Sequence, residues 1–181
     1  MDHRPQSPTA ALCTPSFVMA QRIPNRPLNH VAVSVPDIDA FVQWYTRVFG
    51  FQQMGTISLV KRSEWPDNPF FNIYPDNLNE YKIAYLATGN AASLEVMQFI
   101  DPAPIPPPEF FQYNRQGFFH ICVTDPDPGS LANTAAEAGG RIIGEVIEIA
   151  GSDCAYVADP WGNIVEILSM SFERLVTSVS T

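Results

Sequence analysis

Two stretches of the chain, HVAVSVPDIDAFVQWYTRVFGF (30–51) and HICVTDPDPGSLANTAAEAGGR (120–141), lie under one another without a gap. Identical pairs are His30/His120, Val33/Val123, Pro36/Pro126, Asp37/Asp127 and Gly50/Gly140; Ser34/Thr124 and Phe41/Leu131 are conservative. An internal repeat constrains a fold more than local propensity does, because each copy must build the same supersecondary unit. Each copy opens on a β-branched run and stops at a Pro-Asp step, where Asp37 or Asp39 can cap a helix. In the first copy Phe41, Trp44, Tyr45 and Val48 then recur at helical spacing, and Gly50 supplies the stop. Strands expected at 53–60, 81–88 and 92–100 complete the first copy, and strands at about 142–149, 153–158 and 163–169 the second. The fold class this implies is α+β, with two tandem βαβββ modules forming a curved mixed sheet around a cavity.

Punctuation sets the boundaries. Residues 1–27 carry five prolines and no sustained periodicity, so they read as a flexible N-terminal arm. The first module runs over 28–100. DPAPIPPPEF begins a proline-rich, semi-rigid linker at 101–117, since such a run continues neither a helix nor a sheet. The second module follows at 118–170, and 171–181 form a C-terminal tail. The modules differ most before their last strand: 65 residues separate His30 from Glu95, but only 46 separate His120 from Glu166. The surplus is an aromatic loop at 61–80, where Trp65, Phe70, Phe71 and Tyr74 are candidates to cover a flat, apolar substrate or to pack on the sheet.

A net charge of −9 over 181 residues, with basic residues scattered, excludes nucleic acid and an anionic membrane surface as partners. No segment approaches the run of roughly 18 apolar residues that a membrane span needs. Cys13, Cys122 and Cys154 make an odd count without a metal or redox spacing, which points to a reducing compartment, the cytoplasm. TAALCTPSFVMA near the start is mildly apolar and is the one alternative, as a targeting segment, although Pro15 interrupts it.

The charged residues inside apolar strands carry the chemistry. Glu166 lies in IVEIL and Glu95 in SLEVMQF, and a buried, unpartnered carboxylate costs several kcal/mol or more. Each module thus supplies a His on its first strand and a Glu on its last. Strand alternation puts His30 on one face with Ala32 and Ser34, and His120 with Cys122 and Thr124; Val31, Val33, Val35, Ile121 and Val123 take the opposite face, under the helices. Two imidazoles and two carboxylates suit one divalent ion such as Zn, Ni, Co, Mn or Fe(II), which would also neutralise both glutamates. Arg115 or Arg141 are the alternative partners for a Glu in an apolar strand.

LNHVAVSVPDIDAFVQWYTRVFGF and YVADPWGNIVEIL resemble the opening and closing signatures of the vicinal oxygen chelate superfamily. That superfamily includes glyoxalase I, methylmalonyl-CoA epimerase, extradiol ring-cleaving dioxygenases, and fosfomycin and bleomycin resistance proteins. The resemblance spans about 28–170. It implies that His30, His120 and Glu166 are metal ligands. An acid at the position of Glu95 is the glyoxalase and epimerase pattern; in the dioxygenases that position is not normally a ligand. Ser34 stands where bacterial glyoxalase I holds the glutathione carboxylate with an Arg, which argues against lactoylglutathione as substrate.

The function expected is a divalent-metal lyase or isomerase that abstracts a proton from a small molecule with vicinal oxygens. Glu166 is the expected base and Glu95 the ligand or second base. The substrate sits against Trp65, Phe70, Phe71, Tyr74 and Arg115. An Fe(II) extradiol-type dioxygenase and a metal-free small-molecule-binding or resistance protein are the alternatives. A site within one chain and a site shared across a homodimer are both open.

Overall fold

The computed structural model describes residues 24–179. Most of the arm, including Cys13 and the apolar segment around it, lies outside the described residues. The first module comprises β1 (His30–Ser34), α1 (Ile38–Phe49), β2 (Gln52–Lys61), β3 (Glu80–Ala87) and β4 (Ser93–Asp101). The second comprises β5 (Ile121–Thr124), α2 (Pro128–Glu137), β6 (Arg141–Ile149), β7 (Ser152–Ala158) and β8 (Ile164–Leu168); α3 (Phe172–Val179) follows. No helix among the described residues is long and apolar enough to cross a membrane.

The expected modules are present, as two four-stranded mixed sheets ordered β1-β4-β3-β2 and β5-β8-β7-β6. In each, the first strand runs parallel to the last and the others are antiparallel. The equivalent strands β1 and β5 are sheet edges, so the curved sheet comes in two halves with no ladder joining them.

Both helices start where the repeat places an Asp. The Asp37 carboxylate accepts from the Ala40 N–H at 3.0 Å and that of Asp127 from the Ser130 N–H at 2.9 Å, each satisfying a donor the first turn leaves free. The repeated glycines, by contrast, are needed for different reasons. Gly50 closes α1 in the left-handed region at φ 69°. Gly140 is required by crowding: a Cβ there would stand 2.7 Å from the Ala158 carbonyl oxygen and 2.8 Å from that of Ala135.

One core joins the modules. α1 buries Ile38, Phe41, Trp44, Tyr45 and Val48 against Leu86 and Val96 of its own sheet, and the same cluster takes in Ala132, Ala135, Val157, Val165 and Ile167 of the second module. Two long-range hydrogen bonds fix the relation: Trp44 Nε1 donates to the Ala138 carbonyl at 3.0 Å, and the Tyr45 hydroxyl to Asp159 Oδ2 at 3.1 Å. Val31, Val33, Ile121 and Val123 pack against this core, as alternation requires, which leaves the opposite face of each sheet for His and Glu.

Candidate active site

Glu166 sits mid-strand in β8, opposite Cys122 of β5 and Tyr156 of β7. His120 immediately precedes β5 and shares this face. Its Nε2 lies 3.1 Å from Glu166 Oε2. The Tyr156 hydroxyl donates to Oε1 at 2.7 Å, and the Cys154 thiol reaches the same oxygen at 3.5 Å. The carboxylate, 14% exposed, therefore has a neighbour for each oxygen within its own module.

Burial and charge hold the hydroxyl and thiols of that shell in their protonated forms. Burial, then the hydrogen bond and charge of Glu166, push the Tyr156 phenol well above its ordinary range and the Cys154 thiol up to about 11. Burial and the same charge push the Cys122 thiol up to about 12. At neutral pH all three are protonated, and Tyr156 and Cys154 donate to the carboxylate. The imidazole of His120 stands edge-on to the Tyr156 ring, and its Nδ1 is buried without a hydrogen-bond partner.

The first module builds the same frame with a more open interior. Glu95 in β4 lies opposite Ala32 of β1 and Tyr85 of β3, so it shares a face with His30. No ion pair joins His30 to Glu95; His30 Nδ1 instead lies 2.7 Å from Asn29 Oδ1. Tyr85 and Tyr156 escaped the sequence reading, and the signal was available: each precedes its glutamate by ten residues. Burial, followed by the charge of Glu95, raises the pKa of Tyr85 and of Tyr74.

The aromatic loop approaches Glu95's face. Phe71 is buried in a second cluster with Val60, Leu78, Tyr81, Ile83 and Met97, against which Phe70, Tyr74 and Phe99 pack. Met97 and Phe99 follow Glu95 on the same side of β4, so the loop packs on the functional face. Phe71 serves as its anchor, whereas Trp65 stays more than half exposed. Arg115 is elsewhere, lining a cavity between the modules together with His120.

Among the described residues, no three His, Cys, Asp or Glu side chains of this single chain converge closely enough to hold a metal. What the chain presents is two His–Glu sets, His120 with Glu166 and His30 with Glu95, each on the face of its sheet opposite the shared core. The edge strands expose His30, Ala32 and Ser34 in β1, and Cys122 and Thr124 in β5.

Residues 27–167 match the family model of the Glyoxalase/Bleomycin resistance protein/Dioxygenase superfamily. A protein of Actinomyces sp. described as 2-epi-5-epi-valiolone epimerase is 28% identical over 149 residues, 79% of each chain. A glyoxalase family protein from Bacillus cereus superposes with a TM-score of 0.66 at 19% identity, over 83% of this chain and 97% of that one. The trypanothione-dependent glyoxalase I of Leishmania major gives a TM-score of 0.57 at 18% identity, covering 86% and 94%. At such identities the structural likenesses speak for the fold alone.

Proposed function

The chain belongs to the glyoxalase/bleomycin resistance protein/dioxygenase superfamily, and on that premise we propose that it is an isomerase-type enzyme inverting a carbon acid in a small molecule with two adjacent oxygens. Similarity to an epimerase supports inversion over cleavage. The observation that carries the reading is the environment of Glu166, a mid-strand carboxylate 14% exposed, held by the Tyr156 hydroxyl and the Cys154 thiol beside His120.

Glu166 is the proposed base. Tyr156 holds Oε1 and leaves Oε2, facing His120, to take the proton. Because burial keeps the phenol protonated, that hold persists through the neutral range. Glu95 is the proposed acid–base partner or ligand on the other half-site, where Tyr85 stands as Tyr156 does on its own. Inversion needs a proton removed on one side of a carbon and returned on the other, and two carboxylates on separate sheets suit that geometry.

The donor chemistry fits a divalent metal. His120 Nε2 lies beside the Glu166 carboxylate, and His30 and Glu95 share the corresponding face of the first sheet. These four are the proposed ligands of Zn, Ni, Co, Mn or Fe(II); when bound, the ion polarises the substrate's oxygens and acidifies the neighbouring C–H. A second copy is the proposed means of bringing the half-sites together, since β1 and β5 have free edges and exposed small-residue faces. Unpaired Cys122 and Cys154 suit a cytoplasmic protein.

Metal analysis of protein purified without chelator tests the reading. One Zn, Ni, Co or Mn per site supports it, oxygen-sensitive iron with ring cleavage moves it to a dioxygenase, and a folded, metal-free dimer sinks both.

A further inference from the structure

A cavity of about 1020 Å³ lies between the modules, lined by the edge strand β1, residues 106–112 and 115–119 of the linker and the start of the second module, and the Asp159–Ile164 turn. Its volume is at the upper end of small-molecule sites. Two of the chain's ten basic residues, Arg115 and Arg141, line it, and neither forms an ion pair among the described residues. Both are exposed, and on a chain that carries −9 two guanidiniums without an ion-pair partner make this cavity a locally positive spot that favours an anion.

The lining carboxylates do not supply that correction. Asp159 is buried and accepts from the Trp161 and Asn163 N–H groups, the Asn163 amide and the Tyr45 hydroxyl. Glu109 accepts from the Gln112 amide. The Arg141 guanidinium carbon lies 3.3 Å from the centre of the Phe110 ring, so that ring, and no carboxylate among the described residues, is its neighbour. Two aromatics of the lining leave apolar surface uncovered: Phe118 is 100% exposed and Phe110 46%. Such exposed aromatics mark a binding surface more often than a solvated loop.

We propose that this cavity binds a small amphipathic organic anion, its flat apolar body against the linker aromatics and Trp161, and its carboxylate, sulfonate or phosphate on Arg115 and Arg141. His120 closes one side of the lining, so the same cavity gives the proposed substrate an anionic, apolar remote portion. That second assignment alone rests on the enzymatic reading; binding of the anion does not.

The probe is 8-anilinonaphthalene-1-sulfonate, titrated by fluorescence into the full chain, beside its neutral analogue N-phenyl-1-naphthylamine. Saturable binding of the sulfonate, weakened roughly tenfold or more in the Arg115→Gln/Arg141→Gln variant while the neutral analogue is unaffected, is the expected result. Equal sulfonate affinity in variant and wild type overturns the proposal, as does equal loss for both probes. Should the double variant fail to fold by circular dichroism, Arg141→Lys, which keeps the charge but loses the planar fork, must still weaken the sulfonate selectively. Failure of the enzymatic reading is distinguishable: a wild-type chain that binds the sulfonate through both arginines yet purifies folded and metal-free sinks that reading and leaves the cavity standing.

Discussion

Between Val165 and Ile167 a carboxylate is tolerable because alternation puts it on the opposite strand face from theirs, the face it shares with Ile164 and Leu168. Val165 and Ile167 go to the core, while Glu166 meets Tyr156, Cys154 and His120. Alternation made His120 and Glu166 readable as face-mates from sequence; Tyr156 was missed because one tyrosine in an apolar strand has an ordinary packing explanation. Replacing Tyr156 by Phe removes a hydrogen bond to a charged acceptor, worth about 1.5–3 kcal/mol. The expected outcome is a roughly ten- to hundredfold lower kcat with KM little changed, read from steady-state kinetics. Glu166→Gln should abolish turnover and keep the fold. A second consequence concerns alkaline stability. The Cys154 thiol, ordinarily at 9.0, titrates at about 11 in the fold, so the unfolded chain loses this proton first. Fewer protons in the unfolded state mean that stability falls as pH rises from about 9 toward 11, with the contribution intact below that window. Urea midpoints between pH 8 and 10.5 should show the decline, and Cys154→Ala should make it shallower; an unchanged slope would remove the thiol from the account.

The elements themselves were legible. Helix starts followed from Asp37 and Asp127, strands from β-branched alternation, and β3, β4, β6 and β7 lie within a residue or two of where periodicity put them. What periodicity cannot express is why a residue type is needed. Gly50 and Gly140 align in the repeat, yet one answers to backbone sign and the other to contact. Gly50→Ala should cost about 1–2 kcal/mol, the penalty of a side chain in the left-handed region. Gly140→Ala must move the Ala158 and Ala135 carbonyls at the junction of α2 and β7, and about 1–3 kcal/mol is expected for overpacking. Denaturant unfolding measures both, and only Gly140→Ala should also disturb the environment of Trp44, whose ring stands 3.2 Å from the added Cβ. The aromatic loop was equally ambiguous in sequence, since burial and substrate contact demand the same side chains. Phe71 turned out to anchor it on the Glu95 face, with Trp65 left exposed.

At the scale of the whole molecule, sequence gives two His–Glu sets and no rule for closing them. Closure depends on how the modules sit, and that is set by contacts such as Trp44 to Ala138 and Tyr45 to Asp159, 94 and 114 residues apart, which leave no periodic trace. With α1 and the second module sharing a core, β1 and β5 keep free edges and the two His–Glu pairs remain separate in one chain. If a partner completes each site, His30 and Glu95 of one chain act with His120 and Glu166 of the other. A His30→Ala chain and a Glu166→Gln chain, each inactive alone, then complement when mixed by co-refolding or co-expression. Each mixed dimer carries one intact site and one doubly broken site. Random assortment makes half the dimers mixed, so about a quarter of wild-type activity should return. Sites closed within a chain predict none, because every chain in the mixture carries a lesion in its own site. The assay therefore reads the architecture directly, and it does so without reference to any ion.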